Sequence, residues 1–261
     1  MRNFPSLSAA LLLAIVAGLV ALVLPARTAH AQIAIDRETV MLNPAQAMSR
    51  SADFVVQNDG PSSLQATVTL ADWDVDARGA SRWQRPGRVA GSCGRRVSVS
   101  PRVLQLAPGA RQTVHVAVSG AAHFDAECWS AAVVTSSPAH DATTSSTIPA
   151  VASVPVYVTP TAVVSNGDVQ NMFVTGDSLE VVYANIGNVR HDIAGQVTVR
   201  TASDSVVMTL PLPSTTVLAG TTRRFRVARP ALRPGAYVLY AIVDFGGEEL
   251  TAIQAALEIR P

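Results

Sequence analysis

Short stretches of alternating apolar and polar residues run through most of this chain, and they constrain it to a β fold. Leu64 to Leu70 alternates Leu, Ala and Val with Gln and Thr, and Thr113 to Val118 alternates in the same way. A period of two places the apolar side chains of a strand on one face. Beyond the N-terminal segment, no helical period is sustained. The sequence therefore predicts an all-β protein built of sandwiches.

The order of sequence landmarks repeats, which predicts two domains. Phe54 to Gly60 is a strand running into an Asn-Asp-Gly turn, and Val181 to Gly187 is a strand running into an Asn-Ile-Gly turn. Val103 to Gly109 is matched in the same order by Val217 to Gly220. Each half ends with a strand stopped by proline. We expect two tandem β-sandwiches, spanning 32–159 and 160–261.

The first 31 residues have the anatomy of a cleaved signal peptide. Arg2 opens a basic segment, Ala9 to Leu24 is apolar without interruption, and Ala29-His30-Ala31 provides a cleavage site before Gln32. An N-terminal membrane anchor is the alternative, but the apolar run is shorter than the roughly 18 to 20 residues of a spanning helix. We expect an exported protein with no membrane span in its mature chain.

The charged residues do not indicate a nucleic-acid partner. The net charge is +1, and all 20 basic residues are arginine. Eight of the arginines fall in one segment between Arg78 and Arg111. A nucleic-acid surface would need aromatic platforms and a compartment that contains nucleic acid, and an exported protein lacks the second. We interpret this segment as exposed loops and a charged edge strand.

Candidate sites for chemistry are few. Cys93 and Cys128 are the only cysteines, and in an exported chain such a pair predicts a disulfide more readily than a metal or catalytic site. The alternating aspartates from Asp72 to Asp76 resemble a calcium loop, but Trp83 stands where its glutamate belongs. No nucleophile elbow, phosphate loop or zinc-helix motif occurs. We expect no catalysis, no metal and no cofactor.

A series of short motifs follows in order through the first half of the chain. The motifs are a strand ending at Asn58-Asp59-Gly60, Val97 to Pro101, Leu106 to Gly109 with Gln112, Asp125 to Trp129, and Val156 to Pro160. This succession resembles the N-terminal domain of the periplasmic chaperones that assemble pili. The resemblance covers about residues 33 to 160, and the second half resembles a generic immunoglobulin-like module. It implies two immunoglobulin-like sandwiches, a periplasmic location and exported pilus-type subunits as partners.

The resemblance also implies a mechanism in which the last strand of the first domain is added to a subunit that lacks a strand. That strand would run from Ile148 to Val158, after a loop rich in Ser and Thr. An ordinary edge strand is an equally compatible interpretation. The residues of one parity would form the contact face: Ile148, Ala150, Ala152, Val154, Val156 and Val158.

Two positions depart from the family pattern. The family binds the C-terminal carboxylate of a subunit with an arginine and a lysine, and Thr39 and Pro155 stand at those positions. Arg37 lies two residues before Thr39 and is the remaining candidate for the carboxylate contact. Two functions therefore stay open. One is a periplasmic chaperone-like protein for exported β-rich subunits, and the other is an envelope scaffold or adhesive module that binds other envelope proteins.

Overall fold

The computed structural model describes residues 33–119, 123–138 and 149–260, which form two immunoglobulin-like β-sandwiches. The predicted all-β fold is confirmed. The first sandwich contains β1 (Ile33–Ile35), β2 (Val40–Leu42), β3 (Ser51–Asn58), β4 (Leu64–Val75), β5 (Ser81–Gln84), β6 (Val97–Ser100), β7 (Val103–Leu106), β8 (Arg111–Val118), β9 (Cys128–Pro138) and β10 (Val151–Val158). The second contains β11 (Gly167–Thr175), β12 (Ser178–Asn185), β13 (His191–Thr201), β14 (Val206–Val217), β15 (Thr222–Ala228), β16 (Gly235–Asp244) and β17 (Thr251–Ile259).

The N-terminal strand of the first sandwich is divided between its two sheets. One sheet has the order β1-β3-β8-β6, and the other has the order β2-β10-β9-β4-β5, with β7 also pairing with β4. β1 runs antiparallel to β3, whereas β2 runs parallel to β10. Because apolar and polar residues alternate along the strands, apolar side chains fill the space between the two sheets. Phe54, Val68, Leu104, Val116 and Val156 are all fully buried there.

The second sandwich has its own core between a three-stranded and a four-stranded sheet. The sheet orders are β11-β12-β15 and β14-β13-β16-β17. Val181, Tyr183, Val197, Leu239 and Ala241 are buried between them. β10 ends at residue 158 and β11 begins at residue 167. The domain boundary at residue 160 stays a prediction.

The repeated asparagine turn has the same structure in both sandwiches. Asn58 is fully buried, its Nδ2 donates to the carbonyl of Leu106 at 2.9 Å, and its Oδ1 accepts the N–H two residues later. Asn185 is buried as well, donates to the carbonyl of Val217 at 3.0 Å and accepts from the N–H two residues later. Each side chain closes a turn and anchors it to a neighbouring segment.

Residues 1–31 and the predicted cleavage site lie outside the described residues, as does Ile148. Within the described ranges, the structure contains no helix with the length and apolar character needed to cross a membrane.

Candidate functional site

The candidate site is the outer edge of β10. This strand pairs with β9 along its whole length, from Val151 to Val158. On its other side it pairs with β2, but only through Val156, Tyr157 and Val158. In the described part of the chain, the edge from Val151 to Pro155 therefore has no strand beside it. Unpaired main-chain groups of this kind are able to pair with another strand.

The hydrogen bonds at both ends of β10 show which residues face the open edge. Thr159 N–H donates to the carbonyl of Leu42 on the β2 side, at 2.9 Å. Ser136 N–H on β9 donates to the carbonyl of Ala150 at 2.9 Å. Because main-chain groups alternate in direction along a strand, the odd-numbered residues of β10 face the open edge. The main-chain N–H groups of Val151 and Ser153 therefore point away from β9, toward the open edge.

Pro155 is odd-numbered, so its main-chain groups face the open edge as those of Val151 and Ser153 do. Its nitrogen carries no hydrogen, and by this alternation the missing donor belongs to the open edge rather than to the ladder with β9. This explains how a proline is tolerated in a strand that has neighbours on both sides further along. The parallel register places Val40 opposite Val156, so Thr39 lies next to Pro155. The two positions that depart from the family pattern are therefore neighbours.

The side chains of the predicted contact face of β10 differ in burial. Val154 and Val156 are fully buried in the core of the first sandwich. Ala150 and Ala152 have the same parity, but they are only partly buried against that core. Partner contacts through this face of β10 stay a prediction.

Arg37, the candidate for the carboxylate contact, lies outside the strands. It is an exposed residue in the connection between β1 and β2, where the chain passes from one sheet to the other, and Thr39 lies in the same connection. It forms no ion pair with a carboxylate in the described part of the chain. A role for Arg37 in partner binding stays a prediction.

The outer face of the sheet beside the open edge is apolar. Val151 is 66% exposed and Trp83 is 55% exposed. Together with Ala71, Val133 and Ser153 they line a groove of about 340 Å³. The face continues toward the second sandwich through buried aromatic residues, because the Trp73 ring lies 6.0 Å from that of Trp83 and 6.0 Å from that of Tyr157.

An ion pair that sequence analysis missed joins the two sandwiches. Arg190 Nη1 donates to Glu127 Oε1, and the main-chain N–H of Arg190 donates to Oε2 at 2.8 Å. Glu127 is almost entirely buried, and this burial raises its pKa, against the opposing effect of Arg190. The Arg190 guanidinium also lies 4.0 Å from the centre of the Tyr157 ring. The junction thus contacts the end of β10 directly.

Neighbouring contacts strengthen this junction. Glu127 N–H donates to the carbonyl of Asn188 at 2.7 Å, and Asn188 Nδ2 donates to the carbonyl of Asp125 at 2.8 Å. Leu218 of the second sandwich packs in a buried cluster with Trp73, Trp129 and other residues of the first. No periodic signal connects these residues in the sequence.

His191 follows Arg190 and is buried inside the second sandwich. Its Nδ1 lies 2.6 Å from the Tyr183 hydroxyl, and its Nε2 lies 3.2 Å from the Ser165 hydroxyl. The ring of Phe245 packs 5.0 Å away. Burial lowers the pKa of His191 and raises that of Tyr183. The neutral imidazole is therefore the form that this environment favours.

Cys93 and Cys128 are both buried in the first core, where the structure has them as thiols. Ser92 and Trp129, the residues next to the two cysteines, form an isolated parallel β-bridge. Cys93 N–H donates to the carbonyl of Trp129 at 3.2 Å. A hydrogen bond with the Cys128 thiol, together with burial, raises the pKa of Cys93. The disulfide stays a prediction.

The alternating aspartates have separate partners rather than a shared ion. Asp72 accepts hydrogen bonds from the Ser130 hydroxyl and from main-chain N–H groups, Asp74 pairs with Arg82, and Asp76 accepts the N–H groups of its own turn. Within the described ranges, no group of three or more His, Cys, Asp or Glu side chains could hold a metal ion. These aspartates organise the hairpin of β4 and β5.

Comparison with known proteins gives matches in structure but not in sequence. No family model matches the chain, and no curated protein matches its sequence. The class 5 fimbriae chaperone CfaA is 11% identical with a TM-score of 0.54, and the match covers 86% of this chain and 98% of that one. The YadV chaperone is 15% identical with a TM-score of 0.50, covering 87% and 100%.

A third match is the CsuC–CsuE chaperone–tip subunit pre-assembly complex of the archaic chaperone-usher Csu pili of Acinetobacter baumannii. It is 13% identical with a TM-score of 0.51, and the match covers 86% of this chain and 98% of that one. Both sandwiches are included in matches of this extent. The resemblance seen in the sequence is confirmed at the level of architecture: this chain has the two-sandwich fold of the PapD-like fimbrial chaperones.

Proposed function

We propose that this protein is a periplasmic chaperone-like protein that binds exported, β-rich subunits of the pilus type without catalysis. The subunit would pair one of its strands with the open edge of β10. The observation that carries the proposal is the unpaired edge from Val151 to Pro155. The partly buried side chains of Ala150 and Ala152 lie beside this edge. The solved proteins that share this fold include a chaperone crystallised with a tip subunit, which supports the same class of partner.

The chemistry of the edge suits strand addition. The N–H groups of Val151 and Ser153 offer main-chain hydrogen bonds, each worth about 0.5 to 1.5 kcal/mol when formed with a partner. Ala150 and Ala152 face the interior and would cover the open end of an incomplete subunit core, although they fill little volume. The exposed Val151 side chain would be covered on the opposite face. Binding would therefore combine main-chain pairing with modest apolar burial.

A single substitution tests the edge without touching the core. Ser153→Pro removes the outward N–H and places a ring against any added strand, while Pro155 shows that the same parity of β10 accepts proline. Ser153→Ala is the matched control, because it removes the exposed hydroxyl and keeps the N–H. We expect both variants to melt like the wild type.

The measurement is co-purification with pilus-type subunits encoded in the same genome, after co-expression with export to the periplasm. Ser153→Ala should retain the wild-type yield of complex, and Ser153→Pro should lose most of it. Equal yields from folded Ser153→Pro and wild type would rule out pairing at this edge. No complex with any variant, wild type included, would favour the envelope scaffold or adhesive module instead.

A further inference from the structure

The hairpin of β4 and β5 reaches across to the second sandwich and packs against β15. Arg224 N–H donates to the carbonyl of Ala77 at 2.7 Å, and Arg223 Nη1 lies 3.5 Å from the carbonyl oxygen of Asp76. Gly79 has a φ of +95°, and a Cβ at this position would lie 1.8 Å from Arg223 Nη2. The turn therefore favours glycine for its left-handed backbone conformation, because the Arg223 guanidinium is the end of a flexible side chain that can move aside.

This contact gathers three arginines around a small pocket. Arg78 comes from the hairpin tip, and Arg224 and Arg226 come from alternate positions of β15, so their side chains share one face of the strand. The pocket has a volume of about 130 Å³ and is lined by these three residues alone. Two of the guanidinium groups belong to the second sandwich and one to the first.

One buried carboxylate, that of Glu180, neutralises part of this positive charge. Glu180 Oε1 accepts hydrogen bonds from Arg226 Nε at 3.2 Å and Nη2 at 2.6 Å, and its Oε2 lies 3.3 Å from Arg224 Nη1. The hydrogen bonds from Arg226 lower the pKa of Glu180, so its negative charge is retained at neutral pH. Glu180 therefore accepts hydrogen bonds from Arg226, and its contact with Arg224 is an ion pair without a hydrogen bond to Oε2.

Arg78 has no such partner. It forms no ion pair with any carboxylate in the described part of the chain. The nearest acid on its own hairpin, Asp76, is occupied by the N–H groups of the turn, including that of Arg78 itself at 2.9 Å. Three guanidinium groups therefore line the pocket, and Glu180 pairs with two of them, those of Arg224 and Arg226. The pocket keeps an excess of positive charge and unused N–H donors.

We propose that Arg78, Arg224 and Arg226 form a binding site for a phosphate-type oxyanion at the contact between the two sandwiches. Guanidinium groups bind phosphate oxygens through paired, charge-assisted hydrogen bonds, and arginine is the residue best suited to that geometry. The ligand is either free inorganic phosphate or the phosphate of a lipid headgroup. The site is separate from the open edge of β10, so it does not depend on the proposed function.

The test uses the full mature protein and inorganic phosphate. Phosphate is titrated at constant ionic strength, while NMR follows the arginine Nε–H signals. Arg78→Gln removes the unpaired charge, and Arg82→Gln is the matched control, because Arg82 lies on the same hairpin but pairs with Asp74 at 3.0 Å. We expect saturable shifts in the wild type and in Arg82→Gln, and binding about tenfold weaker in Arg78→Gln.

A second arm separates the two sources of phosphate. Vesicles of phosphatidylglycerol that bind the wild type and Arg82→Gln, but not Arg78→Gln, would support the site and assign it to a lipid headgroup. Binding of inorganic phosphate alone would support the site and assign it to a free anion. Absence of a saturable response to both probes in the wild type would overturn the proposal. An Arg78→Gln variant that responds like the wild type to both would do the same.

Discussion

Arg190 of the second sandwich and Glu127 of the first form a salt bridge in which the carboxylate is almost entirely buried. Replacing Arg190 by Met keeps an aliphatic contact with Tyr157 but leaves that carboxylate without a positive partner. We expect the free energy of unfolding to fall by about 3 kcal/mol in urea titrations, since breaking a buried pair costs far more than an exposed one. The Arg190→Met, Glu127→Gln double variant should recover most of the loss.

Arg82→Met provides the control for this prediction. The Arg82 pair with Asp74 is largely exposed, so its loss should change the unfolding free energy by about 0 to 1 kcal/mol. If Arg190→Met and Arg82→Met were equally mild, the junction would not depend on the buried pair.

The asparagine turns should contribute similarly in both sandwiches. Asn58→Ala and Asn185→Ala each leave a buried carbonyl without its donor, so each should lower the unfolding free energy by about 2 kcal/mol. Gln105→Ala is the comparison, because its hydrogen bond to Gln65 is exposed and its loss should cost less than about 0.5 kcal/mol. Chemical denaturation measures all three. A loss in one sandwich alone would mean that the repeated turn is not energetically equivalent.

His191 should make the stability of the second sandwich depend on pH. Burial lowers its pKa below the ordinary 6.5, so the folded state favours the neutral ring. The contribution of His191 to the free energy of unfolding is therefore complete above pH 6.5. It is lost as the pH falls through the pKa of the folded state, at no more than about 1.4 kcal/mol per pH unit. Urea midpoints measured at falling pH should drop more steeply for the wild type than for His191→Gln. Parallel pH profiles for the two proteins would contradict this role.

Cys93 and Cys128 should form a disulfide when the protein is exported. Both thiols are buried in one core and interact with each other, and closure of the loop between them should stabilise the fold by about 3 to 4 kcal/mol in the chain-entropy model. Thiol labelling of the denatured, unreduced periplasmic protein should find no free cysteine, with reduced protein as the positive control. Two labelled thiols would show that the pair stays reduced.

The fold was predictable because its signals are local. Alternation within strands such as β4 and β8 depends on neighbouring residues, and the turns at Asn58 and Asn185 carry their own composition. The division of the N-terminal strand into β1 and β2 has no such signal. It depends on pairing with β3 and with β10, which lie far apart in the sequence.

The site was less predictable, because it depends on long-range pairing. Alternation along the strand places Ala150, Ala152, Val154 and Val156 on one face of β10. It does not show where along the strand the hydrophobic core ends. Only the structure shows that the core of the first sandwich includes Val154 and Val156 fully. Arg190 was missed because its partner, Glu127, lies 63 residues away and shares no motif with it.

Pro155 gives the open edge a preferred alignment. An added strand finds N–H donors at Val151 and Ser153 and none at Pro155, so a carbonyl placed opposite the proline ring would lose its hydrogen bond. Sliding the added strand by two residues moves the mismatch and changes the number of bonds formed. In the proposed mode of binding, the missing donor at Pro155 would therefore favour one register of the added strand over the neighbouring ones.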